Sequence, residues 1–549
     1  MRFPLVLFAT LIGILVAMPV LSVGANLFAG GTGETWGHLA ATVLPEYLAN
    51  SVWLCLGVAL GVGSMGTTMA WLTAMHDFPG RRQLEWALLL PLAMPAYVLA
   101  YTYTDFLQFV GPVQTALRET FGWQKADYWF PDVRSLPGAV VMFSCVLYPY
   151  VYLVVRTAFL ERAGTMNEAA RILGLSPWRA FWRVSLPLAR PAVATGIALA
   201  LMETLADYGT VAYFAVPTFT TGIYRAWFSL GDRTAAAQLA ACLLGFVFLL
   251  IALERFSRGR ARYHDAGTRR RAVRVRLAGW RGVLALAACV VPLLVGFLLP
   301  GALLLKMALG EREGEFAARF LVLAQNSLTL AGISALLAAA LALLLGYAGR
   351  QAERLGQLRR AVARLANRLV GLGYAVPGSV IAVGVLIPVT RLDHALGAFW
   401  QQLGGTNPGL ILTGGIAALV YAYLARFLSI ALQTVEAGIT RITPSMDDAA
   451  RSLGYSHGGI LRHVHLPILR GSLLTAGLLV FVDVMKELPA TLVMRPFNFE
   501  TLATQTYTLA ADERLAEASI AALAIVGVGL VPIIILARQI AAGRQTTAC

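Results

Sequence analysis

Apolar residues run in blocks of around 20 along most of this 549-residue chain, with short polar segments between them. A helix needs roughly 20 such residues to cross a hydrocarbon core. The pattern predicts twelve spans, at about 5–28, 49–75, 86–110, 137–158, 190–214, 235–254, 283–309, 322–348, 369–390, 410–434, 470–494 and 515–537. Inside a bilayer the backbone polar groups must be satisfied within each helix, so the fold class is an all-α polytopic membrane protein. Span 1 ends near Val23-Gly24-Ala25, which resembles a processing site. Its long apolar run and its counterpart at 283–309 predict a retained span.

Composition agrees: 58% of residues are hydrophobic, 13% are charged and the mean hydropathy is +0.69. A net charge of +15 raises the question of nucleic acid. Positive-inside topology accounts for it without such a partner, because most of the 44 lysines and arginines sort to one side. The segment Arg255–Arg281 holds ten arginines and no long apolar run, which marks the cytoplasmic face. Both termini then lie inside, with the loops after span 2 (Arg81, Arg82) and span 8 (Arg350, Arg354, Arg359, Arg360, Arg364, Arg368), while 29–48 faces outward. Five cysteines without paired spacing indicate neither a disulfide framework nor a zinc site.

The polar interruptions repeat. Glu168–Pro187 reads EAARILGLSPWRAFWRVSLP, and Asp448–Pro467, 280 residues on, reads DAARSLGYSHGGILRHVHLP. Asn50-Ser51 recurs as Asn326-Ser327, and Pro95 as Pro377. The chain therefore divides into a six-helix half at 1–254, a basic linker at 255–281 and a second half at 282–549, the halves related by a pseudo-twofold axis along the membrane normal. In each repeated segment, Thr165-x-x-Glu168 or Ser445-x-x-Asp448 reads as a capping box that starts a short helix. Gly174 or Gly454 stops it, Ser176-Pro177 starts a second helix in the first copy, and Leu186-Pro187 or Leu466-Pro467 ends the device. The product is a rigid elbow on the cytoplasmic surface, with Ala169, Ala170, Ala449 and Ala450 as a small-residue face open to a partner.

These segments, 165–187 and 445–467, resemble the EAA loop of ABC importer permeases. The resemblance implies the type I, MetI-like permease fold, with each loop seated in a separate ATPase subunit. The contact residues would be Glu168, Ala169, Ala170, Gly174, Leu186 and Pro187, and Asp448, Ala449, Ala450, Gly454, Leu466 and Pro467. It also implies two ATPase copies that bind ATP and Mg, no cofactor in this chain, and residence in a bacterial inner membrane. Asp448 departs from the glutamate of the pattern, and His457-Gly458-Gly459 replaces Pro177-Trp178-Arg179, which predicts unequal elbows with the second the looser. The three lysines, Lys125, Lys306 and Lys486, lie in no P-loop, so ATP hydrolysis would belong to the partner.

The spans after the elbows carry Glu203 and Asp207, and Asp483 and Glu487, each pair at i, i+4 on one predicted helix face and with Lys486 beside the second pair. Intramembrane charges cost about 2.5–3.5 kcal/mol each on the lenient scale. They read either as a polar pathway for a cation or as groups neutralised by Lys486 or a nearby arginine. The strings at Glu203–Leu230 and Val482–Ala518 further resemble the two halves of ferric-iron ABC permeases. That likeness implies Fe(III) delivered by a periplasmic iron-binding protein and held only transiently, at Glu203, Asp207, Asp483 and Glu487, with no tight metal site. Permeases for thiamine or polyamines share the architecture; an ion-gradient-driven secondary transporter or a membrane enzyme are the other classes. Outer loops at 215–234 and 495–514 offer Tyr224, Arg225, Asp232, Arg495 and Asp512 for docking that carrier, or are ordinary solvated loops.

Overall fold

The computed structural model describes residues 2–28, 33–172, 174–258, 274–310, 315–352 and 356–545. Parts of the segment after span 1 that is expected to face outward (29–32), the linker (259–273) and the loop after span 8 (353–355) lie outside the described residues. Among those described, eleven helices are long and apolar enough to cross a membrane. They are span 1 (Leu5–Asn26), span 2 (Leu44–Met75), span 4 (Leu136–Leu160), span 5 (Trp178–Ala206), span 6 (Arg233–Ser257), span 7 (Trp280–Gly310), span 8 (Arg319–Ala352), span 9 (Gly378–Gln402), span 10 (Ala417–Ile439), span 11 (Gly458–Met485) and span 12 (Leu515–Ile535). The twelfth, span 3, is a helix pair, Arg81–Ala93 and Ala96–Phe121, bent by 90°. The bend falls at Pro95, which has no N–H to donate, and Met94 before it is extended, as a residue preceding proline prefers.

Several expected boundaries move. Spans 5 and 11 begin 12 residues earlier than their hydropathy suggests, because the elbow helices run straight into them, and span 9 runs over Gly378–Gln402 where 369–390 is expected. The loop expected after span 8 contains a strongly amphipathic helix, Gln357–Gly371. Its apolar face carries the buried Ala363, Ala366 and Val370, while Arg364 and Arg368 are exposed. A two-residue parallel pairing, His76–Asp77 with Val275–Arg276, is the one strand contact among the described residues.

The helices form two compact units. One comprises spans 2 to 5, the later part of span 6, span 7 and span 12; the other comprises spans 8 to 11, span 1 and the earlier part of span 6. Each unit thus combines the four middle spans of one half of the sequence with end helices of the other. Span 1 packs against span 9 and the amphipathic helix, where Gly384 and Gly13 permit close backbone approach, and Tyr421 donates to the Leu15 carbonyl at 2.5 Å.

In the first-half unit the main contact is span 2 on span 4, and small residues set it. Gly57, Gly61 and Gly66 lie against Val140, Ser144 and Val151, and a Cβ on Gly66 would sit 2.6 Å from the Val151 Cβ and 2.9 Å from the Tyr148 carbonyl oxygen. Small-xxx-small stripes are how membrane helices approach when apolar burial no longer distinguishes helix from lipid. Gly66→Leu is therefore expected to separate spans 2 and 4 and to lower the thermal midpoint of the detergent-solubilised protein by several degrees, with Gly24→Leu, which meets nothing within 4 Å, as the inert control. Equal midpoints for the two variants would show that this contact does not set the packing.

Paired elbows and two broken spans

The two elbows share their backbone chemistry. Gly174 has φ +80° and Gly454 has φ +83°, the left-handed conformation that glycine adopts without a Cβ penalty. Past each glycine, a matching bond closes the turn: Leu175 N–H donates to the Ala170 carbonyl at 3.0 Å, and Tyr455 N–H to that of Ala450 at 3.1 Å. Ser176 and Ser456 then cap the next helix of each elbow, accepting from Arg179 N–H and Gly459 N–H.

Three local expectations are corrected. Helix Leu136–Ile172 runs unbroken through Thr165, so no capping box starts there. In the second copy the helix is Pro444–Ser452 with Thr443 at the N-cap, which leaves Ser445 one turn position inside rather than at the start. Nor do Leu186-Pro187 and Leu466-Pro467 end a helix. Each comes after a π-helical turn, Phe181–Ser185 or Leu461–His465, that carries the chain without a break into span 5 or span 11. The wide turn accommodates the missing proline N–H.

Ala170 and Ala450 are buried (4% and 5% exposed), so they pack inward and are not part of an open face; Ala449 and Asp448 are exposed, and Asp448 meets Arg451 at 3.3 Å. Leu186 is half-buried, while Pro187, Leu466 and Pro467 are exposed. The side chains of Glu168 and Ala169 lie outside the described residues.

The elbows are anchored by different means. The first rests on an aromatic cluster: Trp71 of span 2 lies 4.8 Å from Phe181 and 6.3 Å from Trp178, and Trp178 lies 5.7 Å from Trp182. The second is held by charge. Asp447, 1% exposed, accepts from Arg350 Nε at 2.8 Å and lies 2.7 Å from His465 Nε2. Arg350 also donates to the Ile442 and Thr443 carbonyls at 2.8 and 3.1 Å. Burial alone would raise the Asp447 carboxyl, but the bonds from His465 and Arg350, with the Arg350 charge, hold it below the usual carboxylate range. The glycine pair predicts a looser second elbow; three side chains from span 8, the elbow and span 11 instead staple it.

Spans 5 and 11 break at equivalent places. Span 5 ends at Ala206, and Asp207 accepts from Thr210 N–H at 2.8 Å to start the short helix Gly209–Tyr213. Span 11 ends at Met485, and Glu487 accepts from Ala490 N–H at 2.9 Å and Thr491 N–H at 3.0 Å at the start of Pro489–Met494. Because each helix stops before its second carboxylate, Glu203 and Asp207, or Asp483 and Glu487, do not share a continuous helix face. Asp483 is neutralised by Lys486 at 2.8 Å, and Glu487 by the buried Arg426 at 3.3 Å; Glu203 is half-buried. Irregular backbone at this depth is tolerated where protein or a wet cavity covers it.

The outer loops separate similarly. Tyr224 is 5% exposed and donates to the Pro489 carbonyl, so it is an internal contact and not part of a docking surface. Asp232 caps the helix of span 6 through Thr234 and Ala235 N–H. Arg495 pairs with Glu500, while Arg225 and Asp512 are exposed. The duplicated asparagines act alike: Asn50 donates to the Pro217 carbonyl and Asn326 to that of Glu500, both at 2.9 Å.

Residues 65–263 match the family described as binding-protein-dependent transport system inner membrane component. The molybdenum transport system permease protein ModB of Escherichia coli is 30% identical over 232 residues, 39% of this chain and 98% of that protein. The chain belongs to the binding-protein-dependent transport permeases. Over its full length the permease is 27% identical to the Fe(3+)-transport system permease protein FbpB 2 of Haemophilus influenzae, covering 97% of one and 98% of the other. The sulfate transport system permease protein CysW of Escherichia coli is 27% identical across 42% of the permease and 80% of that protein. It is a fused ABC importer permease with two MetI-like units in one multi-pass membrane chain, of the kind that works with ATPase and binding-protein partners.

Sequence reasoning missed Arg350, Asp447, His465 and Arg426. A lone arginine within the apolar span 10, opposite acidic spans, was the available signal for Arg426. Asp447 carried none, since it sits one residue before the acidic position of the repeated pattern.

Proposed function

We propose that this permease carries ferric iron. A periplasmic iron-binding protein delivers it, and two copies of a cytoplasmic ATPase, which bind the ATP and Mg, drive the transfer. The observation that carries this reading is likeness along the whole fused chain to a permease named for Fe(3+), whereas the molybdenum and sulfate permeases match one half's length. The chain brings no P-loop lysine, so hydrolysis falls to the partner. The bacterial inner membrane, with both termini cytoplasmic, places the arginine-rich segments and both elbows where an ATPase works. Glu168, Ala169, Gly174, Pro187, Asp448, Ala449, Gly454 and Pro467 are the proposed ATPase contacts.

Hard oxygen ligands suit Fe(III). Glu203 and Asp483 are the first groups to examine as transient contacts, with Asp207 and Glu487 beside them as the caps of the broken spans. Arg225 and Asp512 are the proposed docking positions for the carrier.

The test is uptake into proteoliposomes that hold the permease with its ATPase, supplied with carriers loaded with radioactive Fe(III), molybdate or sulfate. ATP-dependent accumulation of iron alone is expected, reduced at least tenfold by Glu203→Gln with Asp483→Asn. Accumulation of an oxyanion in its place would overturn the cargo. Uptake driven by an ion gradient without the ATPase would overturn the mechanism.

A further inference from the structure

The duplication presents one cytoplasmic position in two chemical states. In the first half, Glu85 is buried (1% exposed), paired with Arg81 and 3.5 Å from Arg156, and Tyr152 donates to its carbonyl at 2.9 Å. Counting from Pro95 and Pro377, Glu85 corresponds to Asn367 and Arg82 to Arg364. Counting from Gly174 and Gly454, Arg156 corresponds to Glu436.

In the second half the internal anion is therefore missing from the helix that should supply it. Asn367 stands there, donating to Glu436 Oε1 at 2.9 Å, and its own buried Oδ1 has no partner among the described residues. A cavity of about 580 Å³ opens beside it, with Gly346 and Gly349 leaving room on span 8. Arg350, Arg364 and Arg368 line it against the single carboxylate of Glu436. Arg350 is committed to Asp447, whereas neither Arg364 nor Arg368 has an ion pair among the described residues.

The depth of the cavity points to its occupant. It lies where spans 8 and 10 end and beside the amphipathic helix Gln357–Gly371, whose apolar face packs on span 1 at Gly13 and Ala366. Basic side chains at the cytoplasmic end of membrane helices collect anionic headgroups, and guanidinium forks match phosphate oxygens. We propose that this cavity binds a phosphate group in the place that Glu85 fills in the first half. The group comes from an anionic lipid headgroup or from a soluble phosphate compound. The proposal is independent of the cargo.

The test uses the complete chain in nanodiscs of phosphatidylcholine and phosphatidylglycerol in equal parts, with phosphatidylglycerol retention counted by native mass spectrometry. In a second arm, inorganic phosphate is titrated calorimetrically into the chain in phosphatidylcholine alone. R364E/R368E is compared with R359E, an arginine on the same helix that does not line the cavity. Loss of retained phosphatidylglycerol in R364E/R368E, by roughly thirtyfold for two basic contacts, with R359E unchanged, supports a lipid source. Saturable inorganic phosphate binding lost in the same variant supports a soluble source. Asn367→Glu with Glu436→Arg restores the counterpart of the Glu85–Arg156 pair, the Arg81 position being Ala363, and is expected to empty the cavity in either case. Indistinguishable behaviour of R364E/R368E and R359E in both arms would overturn the proposal. So would a difference that emerges only when the ATPase is added, which would assign the arginines to a protein contact.

Discussion

Asp447→Ala is expected to disconnect the second elbow from its own half and to lower carrier-stimulated ATPase activity at least tenfold without blocking membrane insertion. The carboxylate is the shared partner of Arg350 and His465, whose side chains are 14% and 0% exposed. Removing it leaves the imidazole without its acceptor and the nearly buried guanidinium, which keeps the Ile442 and Thr443 carbonyls, without its counter-charge, a loss of about 3–5 kcal/mol. Asp448→Ala, one residue on, removes an exposed group that meets Arg451 within the elbow, and so costs the fold about 1 kcal/mol or less. If Asp448→Ala lowers coupling while leaving thermal stability intact, its effect lies at the ATPase. If Asp447→Ala lowers neither, the staple does not position the elbow. The pH dependence has a fixed sign. The folded Asp447 value is depressed, so its contribution is present above the unfolded carboxylate range, near pH 4, and is lost as pH falls through the lower folded value. Acidification to about pH 5 should therefore leave this elbow in place.

The parts of this arrangement that sequence could reveal are those with local causes. Gly174 and Gly454 announce a left-handed turn because no other residue adopts it so cheaply, and the turn is there in both copies. Asn50 and Asn326 recur because each ties the start of a span to a carbonyl of a following loop, Pro217 or Glu500. Hydropathy finds the spans, yet it cannot say that a polar elbow helix continues into an apolar one through a π turn, since helical continuity is a backbone property. Nor does it say which helices pack together: span 1 leaves its own half to pack on span 9, and small residues such as Gly384 register that contact without any periodic signal. The staple was hidden for a related reason. Arg350 and His465, the widest pair of the staple, are 115 residues apart, and each of the three taken alone reads as an ordinary cytoplasmic charge.

The buried pair at the break in span 11 is where a structural role and a transport role can be told apart. Glu487 is 4% exposed and satisfies Ala490 N–H, Thr491 N–H and the Thr491 hydroxyl as well as Arg426, and Tyr423 bonds Thr491 at 2.6 Å. Even Gly378 is shaped to the pair: a Cβ there would lie 2.6 Å from Glu487 Oε1 and 3.0 Å from the Arg426 guanidinium. Glu487→Ala uncaps the short helix and removes the counter-charge of a buried arginine, so it is expected to lose about 3–5 kcal/mol and most of the folded protein. Replacing both partners is different. Arg426→Met with Glu487→Met removes the two desolvated charges together, and well-packed apolar replacements of a buried ion pair are commonly neutral or better. The double variant should therefore recover a thermal midpoint close to that of the parent, measured in the same nanodiscs. Its uptake of the proposed cargo then decides the matter. A folded double variant that transports at the parent rate would confine Glu487 to capping and remove it from the pathway. Loss of uptake at least tenfold, in a protein that is equally stable and still hydrolyses ATP with its partner, would mean that the charge at the break acts on the cargo.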